Sequence, residues 1–132
     1  MHIGSFCSFN ATNGEIKINN FTGVSNGCYF YTATDDFIGN YLTNPTVDKK
    51  YKNIISGDIN IGQNVSIGAK CVILPNSIIG DNVSISALSV INGKYEDNYI
   101  YVDKNRRLSK TIKKNKEVIN ELIKKFKNEK LS

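Results

Sequence analysis

Isoleucine returns at every sixth position across the middle of this chain, at Ile61, Ile67, Ile73, Ile79, Ile85 and Ile91. Four residues after the first five of them stand Val65, Cys71, Ser77, Val83 and Ser89, all small. A period of six suits neither an α-helix, which repeats near 3.6, nor a single strand, which repeats at 2. It suits one short strand plus one corner, and three such units close a triangular coil of about 18 residues. Stacked coils place Ile61 beside Ile79 and Ile67 beside Ile85, with parallel pairing at a spacing of about 4.8 Å. The large β-branched side chain fills the interior, and the small one sits where the triangle narrows. Each isoleucine buried in this way contributes roughly 1.5–3 kcal/mol. Gly62, Gly68 and Gly80 follow three of the isoleucines, and glycine or asparagine at corners tolerates positive φ. The pattern therefore predicts a mainly β chain folded as a left-handed parallel β-helix.

The same offsets run more faintly through the first part of the chain: Ile3 with Cys7, Ile18 with Thr22, Val24 with Cys28, and Phe30 with Thr34. Asn13-Gly14 interrupts them and predicts a bulging corner. Cys7, Cys28 and Cys71 all occupy the small inward slot and read as buried hydrophobes rather than redox groups. Their odd number and wide spacing argue against a zinc ribbon or a disulfide framework. From 35 to 58 the register is lost, and this excursion loop carries Phe37, Tyr41, Leu42 and Tyr51. Loops of such length in a small domain are usually functional or disordered, and these apolar residues favour an ordered loop leaning on the body or on a neighbouring subunit. The β-helix domain thus spans 1–105, followed at 106–132 by a basic amphipathic helix. Its stripe is Leu108, Ile112, Ile119, Leu122 and Phe126, with Ser109 as a candidate cap.

Charge is divided sharply between the two parts. Residues 104–132 hold 11 basic and 3 acidic side chains, whereas residues 1–103 hold 6 and 9. The basicity belongs to the tail, which argues against a nucleic-acid groove on the main fold. No apolar run approaches the ~20 residues of a membrane span. No basic segment followed by an apolar one opens the chain, so a cytoplasmic protein is expected.

The run IGQNVSIGAKCVILPNSIIGDNVSISALSVI is similar to the repeat core of the hexapeptide acyltransferases. YTATDDFIGNYLTNPTV followed by SGDINIG resembles the branch of bacterial sugar O-acetyltransferases found in surface-polysaccharide gene clusters. The resemblance covers roughly residues 1–112. It implies a homotrimer that binds acetyl-CoA as co-substrate in a cleft between coils and acetylates a hydroxyl of a sugar or saccharide acceptor. It further implies a histidine acting as general base on that hydroxyl. A base is needed because a sugar hydroxyl is a poor nucleophile at neutral pH, and imidazole titrates near that pH. The chain has one histidine, His2, which becomes the candidate base, with Asp36 or Asp35 to orient it. For acetyl-CoA the resemblance points to Ala69 and Ala87 beside the pantetheine arm, Asn92 and Gly93 at the turn meeting the same arm, and Arg107 and Lys110 at the nucleotide phosphates. Charge-assisted hydrogen bonds are the reason for cations at the last two positions.

Two departures from the family pattern are visible. Asp103-Lys104-Asn105-Arg106 stands where the family has a Gly-x-Pro-Ala stretch, and further coils usually precede the position of His2. Three alternatives to sugar O-acetylation follow. One is a non-catalytic or truncated trimeric scaffold, and another is N-acetylation of an amino sugar, because the fold does not choose the acceptor. The third, a zinc carbonic anhydrase, needs several histidine ligands, and no metal is expected here.

Overall fold

The computed structural model describes residues 1–35, 53–104 and 107–131, and in it each hexad is a short strand followed by a corner. The first coil comprises β1 (His2–Ile3), β2 (Ser8–Asn10) and β3 (Ile16–Ile18). The second holds β4 (Gly23–Val24) and β5 (Tyr29–Tyr31), then an antiparallel ribbon of β6 (Ala33–Asp35) and β7 (Ile54–Ser56), and closes with β8 (Ile59–Ile61). The ribbon is the base of the predicted excursion. Phe37, Tyr41, Leu42 and Tyr51 lie outside the described residues. The third coil is β9 (Ser66–Ile67), β10 (Val72–Ile73) and β11 (Ile78–Ile79), and the fourth is β12 (Ser84–Ile85), β13 (Val90–Ile91) and β14 (Lys94–Tyr95). β15 (Tyr99–Lys104), β16 (Arg107–Lys113) and α1 (Lys116–Leu131) complete the chain.

The strands stack into the three parallel faces of a left-handed β-helix. The first face runs β1-β4-β9-β12-β15, the second β2-β5-β10-β13 and the third β3-β8-β11-β14. Register places Ile61 beside Ile79, Ile67 beside Ile85 and Ile73 beside Ile91, as the six-residue period predicts. These side chains are at most 4% exposed, and the small partners Val65, Cys71, Ser77, Val83 and Ser89 at most 2%. In the N-terminal half the register departs once. Thr32 rather than Thr34 is the buried partner of Phe30, since Thr34 has already entered the ribbon opposite Ile55. At the C-terminal end Tyr95 and Tyr101 replace isoleucine, with their rings edge to face at 4.9 Å. Their hydroxyls accept the N–H groups of Asn92 and Glu96 and so seal the prism with polar tips that are satisfied.

The glycines after the isoleucines serve a different purpose from the one predicted. Positive φ falls on Phe6, Phe21, Asn64, Lys70, Asn76, Asn82, Leu88 and Asn98, while Gly62, Gly68 and Gly80 do without it. Instead they allow close approach. The N–H of the residue after Gly4, Gly14, Gly62 and Gly80 donates to a side-chain oxygen of the next coil: Asn26, Asp58, Asp81 and Asp97 respectively, at 2.8–2.9 Å. A methyl on Gly80 would lie 1.9 Å from Asp97 Oδ1. At the corner between the third and first faces, Asn64, Asn82 and Asn98 form an amide ladder at 3.1 and 2.8 Å.

The C-terminal segment also differs from expectation. Residues 107–113 form β16 antiparallel to β15, and the helix starts only at Lys116, capped by Asn115 Oδ1 rather than Ser109. Helix propensity is weak beside the open edge that the last parallel strand presents, which β16 satisfies. Leu108 consequently packs on the core. From Asn115 the helix runs back along the amide-ladder corner and sets Phe126 edge to face with Phe21 at 5.5 Å. Ten residues of helix span about 15 Å, and three coil steps span about 14 Å, so the two lengths agree. Among the described residues no helix is long and apolar enough to cross a membrane.

Two measurements test this packing. Gly80→Ala forces its methyl onto Asp97 and is expected to lower stability by about 1–3 kcal/mol, whereas Gly23→Ala, with nothing within 4 Å of the added carbon, stays within about 0.5 kcal/mol; thermal unfolding reads both. Burial pushes the Cys28 and Cys71 thiols up. The unfolded chain releases those protons as pH climbs through the ordinary thiol range while the folded chain keeps them. Stability therefore falls there with rising pH, and a Cys28→Ala/Cys71→Ala double variant shows a flatter alkaline decline in denaturant titrations.

Candidate active site

The first face carries the candidate site. Its outward-pointing column reads His2, Gly23, Ser66, Ser84, Ile100 from one coil to the next. Outward residues this small at three successive levels leave a groove of about 450 Å³ along the prism, lined by His2, Gly23, Ser66, Ala69, Ser84 and their neighbours. The smallness is unforced by the core, because the inward residues on the same strands, Val24, Ile67 and Ile85, are as large as elsewhere. His2 lies at the N-terminal end of this groove on β1, the edge strand of the face, and its side chain is exposed. Its backbone is fixed by the N–H of His2 donating to Thr22 O at 2.9 Å. The Ser66 hydroxyl forms the middle of the floor, and Ser84 accepts from Lys114 Nζ at 2.5 Å.

Of the predicted coenzyme residues, Ala69 lines this groove, and Ala87 stacks above it at the same corner, where Leu88 N–H donates to Ala69 O at 2.8 Å. His2, Ala69 and Ala87 are thus brought to one side of the prism. Asn92 and Gly93 are not: they form the corner between the second and third faces, Gly93 at φ 99° and Asn92 held by the Tyr95 hydroxyl. Asp35 ends β6, in the ribbon outside the first face, and does not line the groove. Asp36 lies outside the described residues. Arg107 opens β16 opposite Lys104. Lys110 projects away from the groove and donates to Glu96 Oε2 at 3.2 Å, with its amine 4.8 Å from the Tyr99 ring centre. That hydrogen bond holds its amine above the usual lysine range.

Sequence reasoning missed Ser66, Ser84 and Lys114. The two serines were readable in principle, as the small outward residues immediately before Ile67 and Ile85. Lys114 carried no signal, because its place depends on β16 folding back on β15. Beside the groove the second face is apolar. Tyr29, Val72 and Val90 share its outward column, and Phe6 and Leu88 project at the adjoining corner, 88% and 70% exposed. Among the described residues no group of three His, Cys, Asp or Glu is placed to hold a metal ion.

Comparison with known proteins bears on this geometry. The model of the family described as bacterial transferase hexapeptide (six repeats) matches residues 58–93. The dTDP-4-amino-4,6-dideoxy-D-glucose acyltransferase of Escherichia coli is 34% identical over 91 residues, which is 69% of this chain and 47% of that enzyme. The chain therefore spans about half the length of this curated relative. A variant of AntD, an N-acyltransferase from Bacillus cereus solved with dTDP and coenzyme A, superposes with a TM-score of 0.83 at 30% identity, covering 96% of this chain and 68% of that one. A maltose O-acetyltransferase from Clostridium difficile superposes with a TM-score of 0.53 at 20% identity, covering 86% and 67%, a likeness of fold alone.

Proposed function

The chain belongs to the bacterial hexapeptide transferases, and from that premise we propose that it moves an acyl group from an acyl-CoA thioester to an amino group of a nucleotide-linked sugar. The observation that carries this reading is the groove on the first face, with a floor of small residues and a histidine at one end. A floor of Gly23, Ser66 and Ser84 lets an extended thioester arm lie against the sheet, and Ala69 and Ala87 flank it without obstruction. The sequence alone put a sugar hydroxyl first. The amine leads here because AntD, at 30% identity, is an N-acyltransferase and the Escherichia coli relative, at 34%, is an acyltransferase of an amino sugar, whereas the O-acetyltransferase likeness is one of fold. Acyl-CoA and nucleotide-linked sugars are cytoplasmic metabolites, so the reaction belongs in the cytoplasm, on the way to a modified surface sugar.

In this reading His2 takes the proton from the attacking nitrogen as the new C–N bond forms, and the C–S bond of the thioester breaks to release the coenzyme thiolate, which takes that proton from His2 and leaves as the thiol. General-base assistance of this kind is typically worth 10²–10⁴-fold. Asp35, which does not line the groove of its own copy and would come from a neighbouring one, or else Asp36, is the candidate to orient the imidazole. A trimer accommodates this. The apolar second face with Phe6 and Leu88 is the surface a partner covers, and it adjoins the groove at the corner that carries Ala69. Arg107 and Lys110 remain candidates for the nucleotide phosphates, and Asn92 and Gly93 for the pantetheine arm, only where a neighbouring copy brings them to the groove.

Incubation of the chain with acyl-CoA and an amino sugar linked to dTDP, followed by thiol release and mass spectrometry of the sugar, is expected to give an amide. An ester, or no transfer from any of several acyl-CoA donors, would overturn the reading. His2→Asn is expected to lower kcat by about 10²–10⁴ while leaving the melting temperature within a degree or two, because His2 is exposed on an edge strand. Leu88→Asp puts a charge on the apolar corner and is expected to convert the trimer to monomer in sedimentation and to abolish transfer.

A further inference from the structure

The helix α1 is held to the prism along a narrow strip. Phe126 meets Phe21 edge to face, the Lys127 amine stands 5.6 Å from the same ring centre, and Ile119 and Ile123 are half-buried. The row beside that strip is uncovered. Val118, Leu122 and Phe126 follow one another at four-residue steps and are 50%, 59% and 44% exposed. Side chains four residues apart share one face of a helix, and the row runs over about 12 Å. Docking on the prism accounts for Ile119 and Ile123, but it leaves Val118 and Leu122 facing water.

The charges around this row are ordered. At about 100° per residue, Lys125 stands on the outer border next to Val118, and Lys116 and Lys127 stand on the other border, beyond Ile119 and Ile123. Glu117 and Glu121 lie further round the polar side, and Glu129 ends the row toward the C-terminus. An apolar centre bordered by lysines suits the boundary between lipid headgroups and acyl chains. The apolar side chains enter it, while the lysine stems run along apolar surface and keep their ammonium groups among the headgroups. The whole chain has the matching asymmetry. Residues 104–132 hold 11 basic and 3 acidic side chains and residues 1–103 hold 6 and 9, so an anionic surface draws the tail toward itself and turns the body away. A second copy is a poorer occupant of the row, because it sets one basic tail against another.

We propose that α1 is a peripheral membrane contact, which lays Val118, Leu122 and Phe126 on a bilayer rich in acidic phospholipid while Lys116, Lys125 and Lys127 engage its headgroups. The bilayer is touched and not crossed. The contact uses the corner that carries Phe21, away from the corner with Phe6 and Leu88, and it holds whatever the groove on the first face binds.

The test incubates the full chain with vesicles of phosphatidylcholine alone and with vesicles in which about a third of the lipid is phosphatidylglycerol, and reads binding by co-sedimentation. Wild type is expected to bind the anionic vesicles and not the neutral ones. The chain has no tryptophan, so Leu122→Trp puts a single reporter in the row; its emission is expected to move to the blue on anionic vesicles and to be quenched by brominated acyl chains. A Val118→Gln/Leu122→Gln variant is expected to bind at least about tenfold more weakly. It should melt with wild type, since both residues are exposed and glutamine suits a helix. Lys116→Gln/Lys125→Gln/Lys127→Gln is expected to weaken binding about a hundredfold, roughly fivefold per lysine. Absence of binding to anionic vesicles, or equal binding to neutral ones, overturns the proposal. So does binding that survives Val118→Gln/Leu122→Gln with the Leu122→Trp emission unmoved, which is adsorption of a basic tail by charge alone. Self-association lost in Val118→Gln/Leu122→Gln, with vesicles unbound, assigns the row to a second copy and overturns it as well.

Discussion

Consecutive coils are joined across a gap of about 4.8 Å, and two kinds of contact have to fit that gap at once. Inside the prism, Ile61 meets Ile79 and Ile67 meets Ile85, so burial drives the coils together. At the corners, Asp81 and Asp97 accept N–H groups from the coil before them, and that reach is possible because Gly62 and Gly80 have no side chain in the way. The inward columns supply the bulk of the stabilisation, and they are non-directional. The corner bonds are directional and fix the angular register of one coil on the next. If they were lost, the columns alone would tolerate slippage.

The rigidity built in this way is what makes a groove on the first face useful. His2, Gly23, Ser66 and Ser84 sit on four levels whose spacing is set by the backbone ladder, so side-chain motion cannot change the distance along the groove. A site on regular elements holds its geometry better than one on loops. The chain supplies variation at the two ends: at one, the exposed edge strand with His2, and at the other, a lysine delivered by the turn from β16 into α1.

The prism was legible because its core repeats without interruption from Ile61 to Ile91. Fidelity was lower toward the N-terminus, where Phe30, Thr32 and the ribbon compete for the same stretch of chain. The C-terminal segment misled for a physical reason. Leu108 and Ile112 fall at helical spacing with Ile119, Leu122 and Phe126, and nothing local says that an unpaired edge on β15 waits for a partner. Part of the candidate site was equally hidden. His2 and Ala69 follow from the repeat and its resemblance, but Lys114 acquires its position only through the antiparallel return of β16. Glycine gave the right corners for the wrong reason: the φ requirement fell largely on asparagine and on Phe6, Phe21, Lys70 and Leu88.

The antiparallel return has a consequence for how this architecture can grow. β15 is the last strand of the first face to run with the others, and β16 lies against its free edge in the opposite sense. The direction of winding is thereby terminated, since another left-handed turn added after Lys104 would find its docking edge occupied. Lengthening of the prism, by evolution or by hand, has to happen upstream, as whole triangular units inserted among the isoleucine hexads. Each unit would carry the histidine end and the lysine end of the groove one step further apart, so the length of the repeat array also sets the length of the groove.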